Sequence, residues 1–188
     1  MRITSGSARG RQLKSVPGSE TRPTSDMVKQ AIFNILQFQL ADRRVLDLFA
    51  GTGQLGLEAL SRGAAEAVFV DRSPAALAVI RSNAETTGLA GRARIVNSDY
   101  KAFLRGVPPK SFDLVLLDPP YREKFVPHVL KVLESFDILS DCGIIICEVS
   151  AGEHLPQELG RLRLEKLRRY GGTALALYRP AQGVDAEA

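Results

Sequence analysis

From Arg44 onward, short apolar runs alternate with longer amphipathic stretches, and that alternation leaves few folds open to the chain. Val45 to Phe49, Ala67 to Val70, Arg94 to Val96, Leu114 to Leu117 and Gly143 to Val149 read as strands. Between them the spacing predicts helices over Leu55 to Arg62, Pro74 to Thr86, Lys101 to Leu104 and Phe125 to Phe136. Strands separated by helices are joined by crossovers and therefore run parallel, so an α/β doubly wound sheet is expected. Leu162 to Arg169 and Thr173 to Tyr178, joined across Gly171-Gly172, read instead as an antiparallel hairpin closing one edge. The expected result is a mostly parallel seven-stranded sheet. Ahead of it, Ile3 to Val16 reads as short strands around Gly6 and Gly10, followed by a turn at Pro17-Gly18. Pro23-Thr24-Ser25-Asp26 then opens a helix with Val28, Ile32, Ile35 and Leu36 on its apolar face. The expected organisation is a basic hairpin and helix extension over 1–40, appended to a main domain over 41–180, and a flexible tail over 181–188.

With 45% hydrophobic and 24% charged residues in a chain of 188, one ordinary globular domain is expected. Apolar runs such as Val115-Leu116-Leu117 are too short to span a bilayer, and the N-terminus lacks a secretory pattern, so a cytoplasmic protein with no membrane role is expected. Cys142 and Cys147 lie five apart in one predicted strand, which points them to opposite faces; both are read as core filler. His128 and His154 have no partner at ligand spacing, and no metal site is expected. Charge is more informative. Arg2, Arg9, Arg11, Lys14, Arg22 and Lys29 face only Glu20 and Asp26 within residues 1–29, so the net +4 of the chain sits there and the remainder balances. Basic residues spaced by Gly, Ser and Thr suit phosphate contacts, which points to a nucleic acid.

Asp118-Pro119-Pro120-Tyr121 follows the apolar run Phe112 to Leu117, placing an acid, a rigid turn and an aromatic ring where a parallel strand ends. Proline carbonyls accept hydrogen bonds with no adjacent N–H, and a tyrosine ring can stack on a flat molecule. Such a corner suits a planar group bearing an exocyclic amine. Gly51-Thr52-Gly53-Gln54-Leu55-Gly56 fits G-x-G-x-x-G between a strand and a helix, with Asp71 twenty positions past Gly51 where a ribose-binding acid belongs. A dinucleotide would fit that spacing, but Asp47, four residues before the loop, would repel a pyrophosphate and attract an ammonium group. S-adenosylmethionine carries an ammonium and a sulfonium and no phosphate. Asp99 is placed to accept from an adenine amino group, and Phe49 and Tyr100 join Asp47, Gly51, Gly53, Asp71 and Asp99 as candidate cofactor-binding residues. Four acids at four strand ends would then share one edge of the sheet, where ligands of open α/β folds lie.

Arg22-Pro23-Thr24-Ser25-Asp26 with Ala31-Ile32-Phe33-Asn34, Val45 to Gly53 with Gly56 to Ala64, and Asp118-Pro119-Pro120-Tyr121 together resemble the RsmD-type enzymes of bacteria over nearly the whole chain. These are guanine-N2 methyltransferases of small-subunit (16S) ribosomal RNA. The resemblance implies a Rossmann-like class I methyltransferase fold, S-adenosyl-L-methionine as cofactor, and ribosomal RNA, within an assembled or assembling small subunit, as partner. It implies in-line transfer of a methyl group to the amine, with Asp118 and the Pro119 carbonyl accepting its hydrogens, Pro120 fixing the turn and Tyr121 stacking on the base. Arg22 and Thr24 would line the site, and Arg9, Arg11 and Lys14 would hold phosphates. Arg72 departs from the family pattern, which often has a second acid or a small residue there. The alternatives are an adenine-N6 methyltransferase acting on DNA or RNA, a non-catalytic nucleic-acid-binding assembly factor of the same fold, and a nicotinamide oxidoreductase.

Overall fold

The computed structural model describes residues 1–17, 26–119 and 125–181. Its core is an eight-stranded sheet formed by β1 (Arg44–Leu48), β2 (Glu66–Asp71), β3 (Ala93–Asn97), β4 (Phe112–Leu117), β5 (Leu139–Ser150), β6 (Glu158–Leu159), β7 (Leu162–Tyr170) and β8 (Thr173–Pro180), in the spatial order β3-β2-β1-β4-β5-β8-β7-β6. Strands β1 to β5 pair in parallel, and β8, β7 and β6 add antiparallel pairs. The eighth strand is the two-residue β6, too short for any periodicity to mark it in the sequence. The strands and helices expected from Arg44 onward are present, with ends displaced by a few residues, whereas the short strands expected over Ile3 to Val16 reduce to one isolated bridge.

Helices α1 (Asp26–Ile35), α2 (Gln54–Ser61), α3 (Pro74–Thr87), α4 (Tyr100–Arg105) and α5 (Phe125–Ser135) cover the sheet on both sides. Alternate strand residues split between two apolar clusters. Val45, Phe69, Leu116, Ile146 and Leu175 pack with residues of α1, α2 and α3, whereas Leu46, Val68, Leu117, Cys147 and Ala176 pack with α4 and α5. Burial on both faces explains why these strands read as unbroken apolar runs rather than as alternating ones.

The N-terminal arm is more deeply integrated than an appendage. Its only strand-like pairing among the described residues is the single bridge Arg2↔Gln12, yet Ile3, Ala8 and Leu13 are buried in the first cluster beside α1 and α2. Gly6 sits at φ +82, and a Cβ there would fall 1.8 Å from the Ser61 carbonyl oxygen, so only glycine allows this close approach. Lys29, counted above with the basic arm, is fully buried and cannot serve a phosphate. Its ammonium donates to the Arg2 carbonyl at 2.5 Å and lies 3.8 Å from Glu58 of α2. Glu58, equally buried, accepts from Thr4 N–H, Thr4 Oγ1 and Ser5 N–H and pairs with Arg62 at 2.8 Å. One charged network therefore fastens the arm to α1 and α2. The two cysteines also separate: Cys147 fills the core as expected, but Cys142 is exposed, because β5 pairs irregularly with β4 before Gly143.

Among the described residues, no helix is long and apolar enough to cross a membrane. The Arg22 and Thr24 assignments, and the tail from 182 onward, lie outside the described residues.

Candidate active site

Asp47, Asp71, Asp99 and Asp118 all lie at the carboxyl ends of adjacent parallel strands, as the sequence predicted. Their environments differ. Asp47 is 2% exposed and accepts the Gly56 N–H at 2.9 Å. Gly56 can approach only because it lacks a side chain: a Cβ there would sit 2.4 Å from the Phe69 ring and 3.1 Å from Asp47 Oδ2. The third glycine of the loop therefore serves helix-to-strand packing, while Gly51 and Gly53, at φ +54 and +75, turn the chain into α2. Asp71 is half-buried and holds the loop from the other side, accepting from Gly51 N–H at 2.9 Å and Ser73 N–H at 2.8 Å. Asp99 is exposed and caps α4 by accepting from Lys101 and Ala102 N–H groups. Asp118 is half-buried directly after β4, with Pro119 buried behind it. Pro120 and Tyr121 lie outside the described residues.

The proton affinity of Asp47 reports how these acids interact. Burial raises its pKa to about 8, the Gly56 N–H opposes the rise, and the charges of Asp118 and Asp71 add to it. Three carboxylates thus share a field at the ends of β1, β2 and β4, and a cationic ligand among them would relieve their repulsion. The sign is definite. A carboxyl group with a raised folded pKa favours folding most below its unfolded value, near pH 4, and loses that contribution as pH climbs toward about 8. Cation affinity runs the opposite way, because the charged form is the one that binds. A ligand whose cationic group meets Asp47 should therefore bind more tightly as pH rises between 6 and 7.5, by up to about tenfold per unit. Asp47→Asn retains an acceptor for Gly56 but removes the charge; calorimetric titration should give weaker binding with a flattened pH slope. An undiminished slope in Asp47→Asn would show that another group governs it.

An aromatic wall stands beside the acids. Phe49 and Tyr100 lie 5.3 Å apart between ring centroids, and Phe125, the first residue of α5, lies 5.4 Å from Phe49 and 5.8 Å from Tyr100. Phe49 adopts φ +81, which a bulky side chain rarely does, while its N–H and that of Ala50 both donate to the Val70 carbonyl at 3.0 Å. This turn stops β1 and sends the Phe49 ring to the α5 side of the sheet, where it packs with the second cluster. Strain at such a position is characteristic of functional loops.

The fold brings to these strand ends two residues that the sequence did not single out. Phe125 carries no motif, and only the fold brings it to Phe49. Glu148, 6% exposed within β5, lies one residue past the pair Leu117↔Cys147, beside Asp118 in the sheet, and shares the face of Ile144 and Ile146. A lone acid in an apolar run was the available signal.

Of the basic candidates, Arg9, Arg11 and Lys14 are exposed. Lys14 is fixed over α3: its N–H donates to Asn83 Oδ1 at 2.8 Å and its ammonium to Ser82 Oγ at 2.9 Å.

The family model for conserved hypothetical protein 95 matches residues 1–179. Ribosomal RNA small subunit methyltransferase D of Escherichia coli strain K12 is 37% identical over 186 residues, covering 97% of this chain and 92% of that protein. The chain belongs to this RsmD-type family. The protein of the same name from Haemophilus influenzae is 31% identical, covering 82% of this chain and 81% of its own. In structure, yhhF from Escherichia coli superposes with a TM-score of 0.86 at 37% identity, covering 97% of this chain and 99% of its own. The fold is the Rossmann-like class I methyltransferase fold, as the sequence predicted.

Proposed function

We propose that this protein transfers a methyl group from S-adenosylmethionine to the exocyclic N2 amine of a guanine in small-subunit ribosomal RNA, in the cytoplasm. The observation that carries the reading is the row of acids at the strand ends, with the charges of Asp71 and Asp118 near enough to raise the proton affinity of the buried Asp47. This donor set fits a ligand bearing positive charge and does not fit a pyrophosphate. The names of the E. coli and H. influenzae relatives supply the ribosomal substrate.

In this reading Asp47 opposes the cationic end of the cofactor, Gly51 and Gly53 let it lie close to the loop, Asp71 meets the ribose and Asp99 the adenine. Phe49 and Tyr100 give the flat rings an apolar surface. When bound, S-adenosylmethionine supplies an electrophilic methyl group on a sulfonium. The chain's own task is to prepare the amine, whose lone pair is delocalised into the base. Asp118 and the Pro119 carbonyl accept its two hydrogens in directions that favour a pyramidal nitrogen. As positive charge develops on that nitrogen, the fixed Asp118 carboxylate stabilises it more than it stabilises the neutral amine. Tyr121 stacks on the base once the base has left its helix, contributing about 1–3 kcal/mol.

Glu148 supports guanine over adenine. Guanine presents two neighbouring donors, N1–H and N2–H, whereas adenine offers an acceptor at N1 that a carboxylate would repel. One acid directly after Leu117 of β4 and one directly after its partner Cys147 in β5 suit the first pattern. The test uses labelled S-adenosylmethionine and small subunits from a strain lacking the enzyme, followed by digestion to nucleosides. Label in N2-methylguanosine is the expected result; label in N6-methyladenosine, or in DNA alone, would overturn the assignment.

A further inference from the structure

The balance of charge beyond residue 29 conceals a segregation that only the fold exposes. Residues 161–170 hold Arg161, Arg163, Lys166, Arg168 and Arg169 against Glu165 alone. The first two are neutralised locally: Arg161 pairs with Asp137 and, at 3.1 Å, with Asp141, and Arg163 pairs with Glu158 at 2.8 Å. Glu165 is taken by Arg179 at 2.7 Å. Lys166, Arg168 and Arg169 remain, exposed on β7 and with no ion pair among the described residues.

Their place in the sheet gives them a direction. Strand β6 pairs only with Leu162 and Arg163, so the outer edge of β7 is open past Leu164 among the described residues. Lys166 stands opposite Leu177 and Arg168 opposite Leu175, on the face shared with α1 and the N-terminal arm, while Arg169 stands opposite Ala174 on the other face. Side chains two apart on one face of a strand are separated by about 7 Å, which suits successive phosphates of an extended strand. The register also sets the height. Tyr170 pairs with Thr173 and Thr173 with Ser150 at the carboxyl end of β5, so the basic run ends at the same rim as Asp118. Three strand spacings, about 14 Å, separate β7 from β4. The exposed Arg9 and Arg11 lie elsewhere, on the arm that packs against α2 and α3.

We propose that Lys166 and Arg168, on the face shared with α1 and the N-terminal arm, and Arg169, across the open edge of β7, form a second phosphate-binding rail, which holds the RNA flanking the target base on the β7 side of the site. The proposal rests on the RNA substrate argued above. Charges on an open edge strand have another use, which is to prevent pairing with a second sheet, and for that purpose either sign serves. Charge reversal separates the two roles. The triple variant K166E/R168E/R169E keeps the edge charged, and gel filtration, melting temperature and S-adenosylhomocysteine affinity should match wild type. Filter binding to small ribosomal subunits from a strain lacking the enzyme should weaken at least tenfold near 0.1 M salt. The slope of log affinity against log salt should become shallower by about 2 to 3, since each phosphate contact contributes roughly 0.7–0.9. Methyl transfer at saturating RNA should stay within about twofold, placing the defect in KM. Wild-type RNA affinity and salt slope in a folded variant would overturn the rail and leave the enzymatic reading intact. Failure of the wild-type protein to bind or methylate those subunits would overturn both.

Discussion

Asp118→Ala is expected to reduce methyl transfer by about 10²–10³-fold while leaving S-adenosylhomocysteine affinity within about threefold, a loss of the size seen when one preorganised electrostatic partner of a transition state is removed. Asp118 is half-buried at the end of β4, beside a buried proline that fixes the chain direction, so its carboxylate is placed before substrate arrives. Charge on the amine nitrogen exists only as the methyl moves, so the defect should fall on kcat rather than on KM. Asp118→Asn keeps an acceptor oxygen but not the charge and should fall between wild type and alanine. Asp47→Asn provides the contrast, because its defect should fall on cofactor binding. Parallel calorimetry and single-turnover transfer separate the two; wild-type turnover in Asp118→Ala would remove Asp118 from the chemistry.

The second large effect is on stability. Glu58→Ala should lower stability by about 3–5 kcal/mol, a fall in melting temperature of roughly 10 °C or more for a chain of this size. The reason lies in what it leaves behind. Lys29 is fully buried with Glu58 as its buried counter-ion, and Thr4 N–H and Ser5 N–H both end on the same carboxylate. Truncation removes the buried counter-ion of Lys29, leaving it the exposed Asp26 at 3.7 Å and the Arg2 carbonyl, and takes the acceptor from two amides at once; an unsatisfied buried group costs more than its pair contributes. Glu58→Gln should lie between, keeping an acceptor and losing the charge. Since the network anchors the arm that carries Arg9 and Arg11, RNA binding should weaken in step with the melting temperature. A shift under about 2 °C would show that the arm is held by its apolar contacts through Ile3 and Leu13 instead.

The sheet was legible because two-sided burial writes each central strand as an apolar run, and the acids were legible because each closes such a run. Contacts that depend on three-dimensional packing were not. Lys29 looks like any helix-surface lysine until the chain folds back and places Arg2 and Glu58 around it. Gly56 looks like a cofactor glycine, yet its missing side chain makes room for Phe69 and Asp47. Phe125 and Phe49 are far apart in sequence, and an aromatic at the start of a helix has no reason to be noticed until the strand ends gather around it. The rail on β7 was hidden for another reason. A net charge summed over a segment counts Arg161 and Asp137 equally with Lys166, although the first two cancel in space and the last faces solvent.

The most direct measurement is a crystal structure of the protein soaked with S-adenosylhomocysteine and guanosine monophosphate. The homocysteine ammonium should lie nearest the Asp47 carboxylate at the end of β1, and the guanine N2 within hydrogen-bonding distance of Asp118 and the Pro119 carbonyl. A cofactor product bound away from the glycine loop, or a guanine whose amine faces neither acceptor while the loop is filled, would contradict this assignment.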